Sequence, residues 1–277
     1  MPLRLALAAM GTRFELVLPG LDETRERAAG EAALDEVALW DARLSLFARD
    51  SLLAHVNREA GQRAVRVDPQ TFALLETCAR VFAESGGAFD AALGGAMAAA
   101  GFRGEAAREE ARADVGFAAV ELDREAHSVR FTAPGVQLDL GGIAKGFALD
   151  RAGELLREAG LETALLHGGT STVLALGAPP GGEGWRVALD EAPGAPRAVL
   201  RDRALSVSAQ HGRRNARGEG HVLGARLARA AVQAPDATLA DAWSTALLVL
   251  GRLPAAARAA GVEGLADAGT GWRELEG

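Results

Sequence analysis

The sequence predicts an α+β fold, with mixed, largely antiparallel sheets and packed helices. Three observations carry this. Helical and strand-like stretches interleave without regular βαβ spacing. The second half holds short apolar runs separated by Gly and Pro, the mark of strands joined by tight turns. A 277-residue chain with 49% hydrophobic residues can bury one large core, and residues 1–277 read as a single domain without repeats or a long linker.

The elements follow in order. Residues 1–10 form a short apolar run and read as a first strand. In 12–18, Phe14, Leu16 and Leu18 alternate with other residues as in a half-buried strand, ended by Gly20. Asp22 can cap a helix whose Ala33, Val37, Trp40 and Leu44 share one face. His55 falls on a surface helix. Asp68-Pro69, a cap and a first-turn proline, opens a helix with a stripe of Phe72, Leu75, Ala79 and Phe82, stopped by Gly86-Gly87. Residues 101–116 are rich in Ala, Glu and Arg and read as a surface helix or loop. A hairpin is expected from 120–122 and 129–131, and a strand over 137–140. A helix over 143–158 follows, closed by Gly160. Short strands are expected at 163–167, 172–176, 185–189, 198–200, 204–208 and within 221–234. The last strong helix spans 238–250, before Gly251.

Composition narrows the function. The net charge is −7 and the pI about 5.4, with no Lys/Arg run, which argues against nucleic-acid and anionic-membrane binding. No stretch approaches the length of a transmembrane helix. Cys78 is the one cysteine, so no intramolecular disulfide or zinc spacing exists, and it lies far from an N-terminal lipid-attachment position. The sequence as numbered shows no signal peptide and predicts a cytoplasmic protein, or a periplasmic one if a leader was removed.

Four constellations carry candidate chemistry. In Asp139-Leu140-Gly141-Gly142-Ile143-Ala144-Lys145-Gly146, two glycines lead into a helix start. Free N–H groups and the helix dipole there favour phosphate or pyrophosphate. The spacing is neither a Walker loop nor a Rossmann fingerprint, and a plain strand-to-helix turn is the alternative. Lys145 is the one lysine among 30 basic residues, two positions from the one isoleucine, Ile143. Either the pairing is coincidence, or a slim ammonium fits where a guanidinium fork does not. Asp241 and Thr245 point from one helix face and are hard oxygen ligands suited to Mg²⁺. Thr238-x-x-Asp241 also fits a capping box, the simpler account on those residues alone. Phe89-Asp90 follow a helix stop, with Phe89 either core or ring-stacking. Gly168-Gly169 read as a hairpin turn. His221, after the polar loop 213–220, and His167 and His211 are candidate acid/base groups, none distinguished by itself.

Taken in order, these pieces resemble the ApbE family over nearly the whole chain. The matching segments are Met10-Gly11-Thr12, Leu44-Ser45-Leu46-Phe47 with Asn57, Ala60 and Gly61, Gly87-Ala88-Phe89-Asp90 and Val115-Gly116-Phe117. They continue through Asp139 to Asp150, His167-Gly168-Gly169 to Trp185-Arg186-Val187, Asp241 to Leu247, and Leu250-Gly251. The resemblance implies an ApbE-like, T-fold-like architecture and a flavin transferase. Such enzymes bind FAD and Mg²⁺, split the pyrophosphate, and pass FMN to a Thr or Ser hydroxyl of an acceptor protein, releasing AMP. By resemblance, Ala144 (through its carbonyl), Asp241 and Thr245 hold the metal. Met10, Phe89, Asp90, Gly141, Gly142, Lys145 and Leu223 line the flavin nucleotide, and His221 is the catalytic base. Two segments depart from the family. His221 is followed by Val-Leu-Gly-Ala-Arg where Asp-Pro is usual, and Val207-Ser208-Ala209 replaces a Thr-Ser-Gly run. Both border the acceptor's entry, so a non-catalytic FAD-binding protein and an FAD pyrophosphatase are the alternatives.

Overall fold

The computed structural model describes residues 1–102, 116–192, 194–210 and 222–275. The two expected strands, β1 (Leu3–Ala9) and β2 (Thr12–Leu18), pair as a hairpin. Its turn residues Met10 and Gly11 have φ of 49° and 70°. Positive φ at both central positions matches the twist of a hairpin, at a steric cost for Met10. Helix α1 (Glu23–Leu44) is capped by Asp22 and buries Ala33, Val37, Trp40 and Leu44, as the periodicity predicts. Then come α2 (Leu52–Glu59), β3 (Val65–Arg66) and α3 (Pro69–Glu84), whose cap is Asp68. The buried stripe of α3 is Phe72, Leu74, Leu75, Cys78 and Val81, with Ala79 and Phe82 at its edge. Helix α4 (Gly94–Ala99) and the hairpin β4 (Val120–Asp123) and β5 (Ser128–Phe131) complete the first half.

The second half opens with α5 (Ala144–Glu158). Strands β6 (Ala164–Gly168), β7 (Thr172–Leu176), β8 (Trp185–Ala188), β9 (Arg197–Leu200), β10 (Arg203–Ala209) and β11 (Arg229–Ala234) follow. Helix α6 (Ala237–Leu250), α7 (Ala255–Ala259), β12 (Glu263–Asp267) and β13 (Trp272–Glu274) end the described chain. The last three have no counterpart in the sequence expectation. Eight strands form one sheet, in the order β1-β2-β6-β7-β10-β11-β12-β13, and each pairing is antiparallel. Among the described residues, the parallel element of the expected mixture is an isolated bridge between Leu93 and Gln137.

Helices α1, α5 and α6 pack against one face of this sheet. The opposite face carries the ribbon β8–β9, packed through Val173, Val187, Leu200 and Leu205. Helix α6 is buried almost all round, as an apolar helix must be. It sits between β10–β11 and α5. No helix among the described residues is long and apolar enough to cross a membrane.

One expected strand is absent. Residues 137–140 are extended but join no sheet. The backbone of this segment bonds residues 91–94 on one side (Gly94 N to Gln137 O, 3.0 Å; Asp139 N to Ala91 O, 2.7 Å), and the side chain of Asn57 bonds Leu138: its Nδ2 donates to Leu138 O (3.0 Å) and its Oδ1 accepts from Leu138 N (2.8 Å). The 101–116 expectation falls mostly outside the described residues, as does the start of the strand expected within 221–234.

Candidate functional site

The site is organised where α5 crosses α6. A Cβ added to Gly146 would lie 2.0 Å from Ala237 O, so only glycine permits this crossing. The N-terminus of α6 is capped twice. Asp236 accepts from Leu239 N at 2.7 Å. Asp150, on α5, accepts from Ala237 N and Thr238 N, both at 2.8 Å, and from Thr238 Oγ1 at 2.5 Å. Burial and the Asp236 carboxylate push Asp150 up to about 7, against hydrogen bonds that favour its charged form. These two acids cap the helix, and the Thr238–Asp241 capping box does not form. Asp241 is therefore released for another role.

Asp241 is 3% exposed and accepts from three donors. Its Oδ1 takes Thr172 Oγ1 (2.8 Å) and Ser206 Oγ (2.9 Å), and its Oδ2 takes Gly146 N (3.0 Å). Lys145 Nζ stands 3.7 Å from Oδ2. One turn on, Thr245 Oγ1 lies 3.4 Å from Ser208 Oγ. The start of α5 is less open than its sequence suggested. Ile143 N and Ala144 N donate to Leu140 O, and Gly146 N to Asp241, leaving those amides engaged.

These groups open into a cleft of about 1040 Å³. Its inner wall includes Phe89, Gly142, Lys145, Asp241 and Thr245. A Cβ on Gly142 would stand 3.3 Å from Thr245 Oγ1 and 3.5 Å from the Phe89 ring, so glycine keeps this corner open. The outer wall includes Asp190, Glu191, Arg229 and Asp267. Arg229 donates to Asp267 Oδ2 (2.9 Å from Nε) and to Asp190 Oδ2 (2.5 Å), and its guanidinium lies 4.9 Å from the Trp272 ring centre. Trp272 Nε1 donates to Asp190 at 2.8 Å. The Arg229 hydrogen bond, with help from Gly269 N and Gly271 N, holds Asp267 down at about 2.

Of the residues singled out from sequence, Phe89, Asp90, Gly141, Gly142, Lys145, Leu223, Asp241 and Thr245 meet at this cleft. The Asp90 carboxylate accepts from Ala92 N (2.7 Å) and Phe117 N (3.0 Å), clasping its own loop, and burial raises its pKa. Ala144 is buried in the first turn of α5 and is not among the lining residues. Neither is Met10. It packs against the main core, and its hairpin bonds to the β6–β7 turn (Gly169 N to Arg13 O, 3.0 Å), whose Thr170 and Ser171 do line the cleft. Of the expected turn pair, Gly169 lies in that turn at φ 69°, while Gly168 is the last residue of β6, paired with Phe14 and Thr172. His221 and His211 lie outside the described residues, and His167 sits within β6, its pKa lowered by burial. Sequence reasoning noted Ser208 only within the departure Val207-Ser208-Ala209 and not beside Thr245, though it left a trace: Ser206 and Ser208 alternate with Leu205 and Val207 along β10. It also missed Asp190, Arg229 and Asp267, whose pairing across distant segments leaves none.

The ApbE family model matches residues 10–266. The FAD:protein FMN transferase of Treponema pallidum is 38% identical over 187 residues, covering 60% of this chain and 51% of its own length. That of Rhodobacter capsulatus is 33% identical over 270 residues, covering 87% of this chain and 50% of its own. The chain thus spans about half the length of these two relatives. The crystal structure of the ApbE protein from Thermotoga maritima shares the fold with a TM-score of 0.85 at 25% identity, covering 100% of this chain and 97% of that one. With the match running from the first hairpin to β12 and the fold shared along its length, the chain belongs to the ApbE family.

Proposed function

We propose that the protein is an FAD:protein FMN transferase, which moves FMN from FAD to a Thr or Ser hydroxyl of an acceptor protein and releases AMP. The observation that carries this is the release of Asp241 from capping. It opens with Thr245 and Lys145 onto a cleft of about 1040 Å³. That volume is at the top of the range of about 300–1,000 Å³ for small-molecule sites and suits a dinucleotide.

The donor set fits Mg²⁺. Asp241 Oδ2 accepts one close hydrogen bond and keeps a lone pair, and Thr245 adds a neutral hard oxygen. Asp241, Thr245 and the Ala144 carbonyl are the proposed holders of the ion. Bound there, Mg²⁺ supplies charge neutralisation for a pyrophosphate. Lys145 adds a second positive charge beside the same phosphates. Gly142 leaves room for close approach next to the flat Phe89 ring. His221 is the proposed base for the acceptor hydroxyl, on its place in the sequence.

Incubating pure protein with FAD and Mg²⁺ tests this. AMP release that requires an acceptor protein marks a transferase. AMP with free FMN marks a pyrophosphatase, and neither marks a binding protein. Asp241→Asn keeps the side-chain shape and should abolish AMP release while the protein stays folded by circular dichroism. Undiminished release in that variant would sink the proposal.

A further inference from the structure

A run of hydroxyls ties α6 to the central sheet. Ser208 Oγ lies 2.8 Å from Ser244 Oγ, which lies 3.2 Å from Ser206 Oγ; Ser206 and Thr172 both reach Asp241 Oδ1. Thr172, Ser206 and Ser244 are each 0% exposed, while Ser208 and Thr245 surface in the cleft. A hydroxyl has one proton and two lone pairs, and an ionised carboxylate only accepts. Ser244 Oγ also donates to the Asp241 carbonyl at 2.9 Å, and Thr245 Oγ1 lies 3.4 Å from the same oxygen. In the assignment these distances favour, Thr172 and Ser206 donate to the Asp241 carboxylate, Ser244 to the Asp241 carbonyl, and Ser208 to Ser244. The protons all run toward Asp241, and lone pairs are left at the cleft end.

Among the described residues, no three His, Cys, Asp or Glu side chains gather into a metal cluster. In the FAD-free protein, a cation held by Asp241 and Thr245 therefore draws further described protein ligands from neutral oxygens. Ser208 Oγ is 3.4 Å from Thr245 Oγ1. Neighbouring ligands of an octahedral Mg²⁺, each about 2.1 Å from the ion, lie about 3 Å apart. We infer that Ser208 is a further oxygen ligand of the divalent cation, that Ser244 is a positioning residue that keeps the Ser208 lone pair turned to the cleft, and that Thr172 and Ser206 position Asp241. This rests on the metal reading of Asp241 and Thr245 given above.

Calorimetric titration of the pure, FAD-free protein with Mg²⁺ and with Cd²⁺ tests it without any turnover. Ser208→Cys replaces a hard oxygen with a soft sulfur, and thiolate ligands select softer cations. The ratio of Cd²⁺ to Mg²⁺ affinity should rise by about 10-fold or more over that of the parent protein, whose buried Cys78 provides the background. Ser208→Ala and Thr172→Val should each weaken Mg²⁺ by about 10-fold, and Ser208→Thr and Thr172→Ser should retain it. A residue that only packs would lower the melting temperature and leave the ratio alone. An unchanged ratio in Ser208→Cys, with Mg²⁺ binding still lost in Asp241→Asn, overturns the assignment of Ser208. Mg²⁺ binding that survives Asp241→Asn overturns the metal reading and this inference with it.

Discussion

The inner and outer walls of the cleft use aspartate in opposite ways. On the inner wall, Asp90 and Asp241, and behind it Asp150 at the crossing of α5 and α6, are held chiefly by backbone N–H groups and hydroxyls, with Lys145 Nζ 3.7 Å from Asp241. On the outer wall, Asp190 and Asp267 share one cation, Arg229, beside Trp272. The consequence shows in Asp150, pushed up to about 7, and Asp267, held down at about 2. Neutral donors in a buried setting do not fully offset the loss of water, whereas a guanidinium partner does. The inner wall therefore depends on fit and the outer wall on charge. Salt screens exposed charge and leaves close packing untouched.

The largest test of that contrast is Gly146→Ala. The new Cβ meets Ala237 O at 2.0 Å and Thr238 N at 2.9 Å, both backbone atoms that no rotamer change can move aside. Stability should fall by about 3 kcal/mol, lowering the melting temperature by roughly 10 °C. A smaller shift would mean the crossing can slide and the inner wall is not set by fit. Next comes Asp150. Its folded pKa of about 7 lies above the ordinary 3.8, so the folded state binds the proton more tightly. The stabilisation is therefore full at low pH and is lost as pH rises toward 7. Between about pH 5 and about pH 7, urea unfolding should show a loss of about 2 kcal/mol from this group. Asp150→Asn should flatten that slope; a slope that persists would assign the titration elsewhere. Asp267 has the reverse sign, its contribution being present above the ordinary carboxylate range and lost as pH falls toward 2. The smallest effect belongs to Asp190→Asn, which keeps an acceptor for Trp272 and loses only the charge. Its melting point should drop slightly at low salt and match the parent in about 1 M NaCl. A deficit that survives salt would place the outer wall in the same class as the inner one.

The same contrast explains how much could be read from sequence. Helices α1, α3, α5 and α6 were legible because local caps and stripes define them: Asp22, Asp68-Pro69, and the glycines after their last turns. Residues of the inner wall were legible as types, because glycines, Phe89, Asp241 and Thr245 sit in compact motifs. What Asp241 does was not legible. The acceptor that caps the helix in its stead is the carboxylate of Asp150, 87 residues away from Ala237. The segment 137–140 reads as a strand, but its backbone makes only an isolated bridge with Leu93 and bonds the side-chain amide of Asn57 at Leu138. Strands β12 and β13 carry little alternation, and their place is fixed by pairing with β11 and by the Arg229–Asp267 contact. Such long-range partners leave no local periodicity to detect.

Helix α6 also sets the clock for making the molecule. The amide of Gly146 and the carboxylate of Asp241 are 95 residues apart along the chain. At about 5–20 residues per second, a ribosome takes roughly 5–20 s to deliver the second after the first. Throughout that interval α5 lacks the helix it crosses, and from the moment β10 is made its helix-facing side stays open, with Ser206 lacking Asp241 and Ala204 uncovered. A chain halted before residue 237 is a sheet with part of its apolar face bare, prone to stick to its neighbours. Covering of this face and assembly of the Asp241 corner of the cleft are thus the same late event.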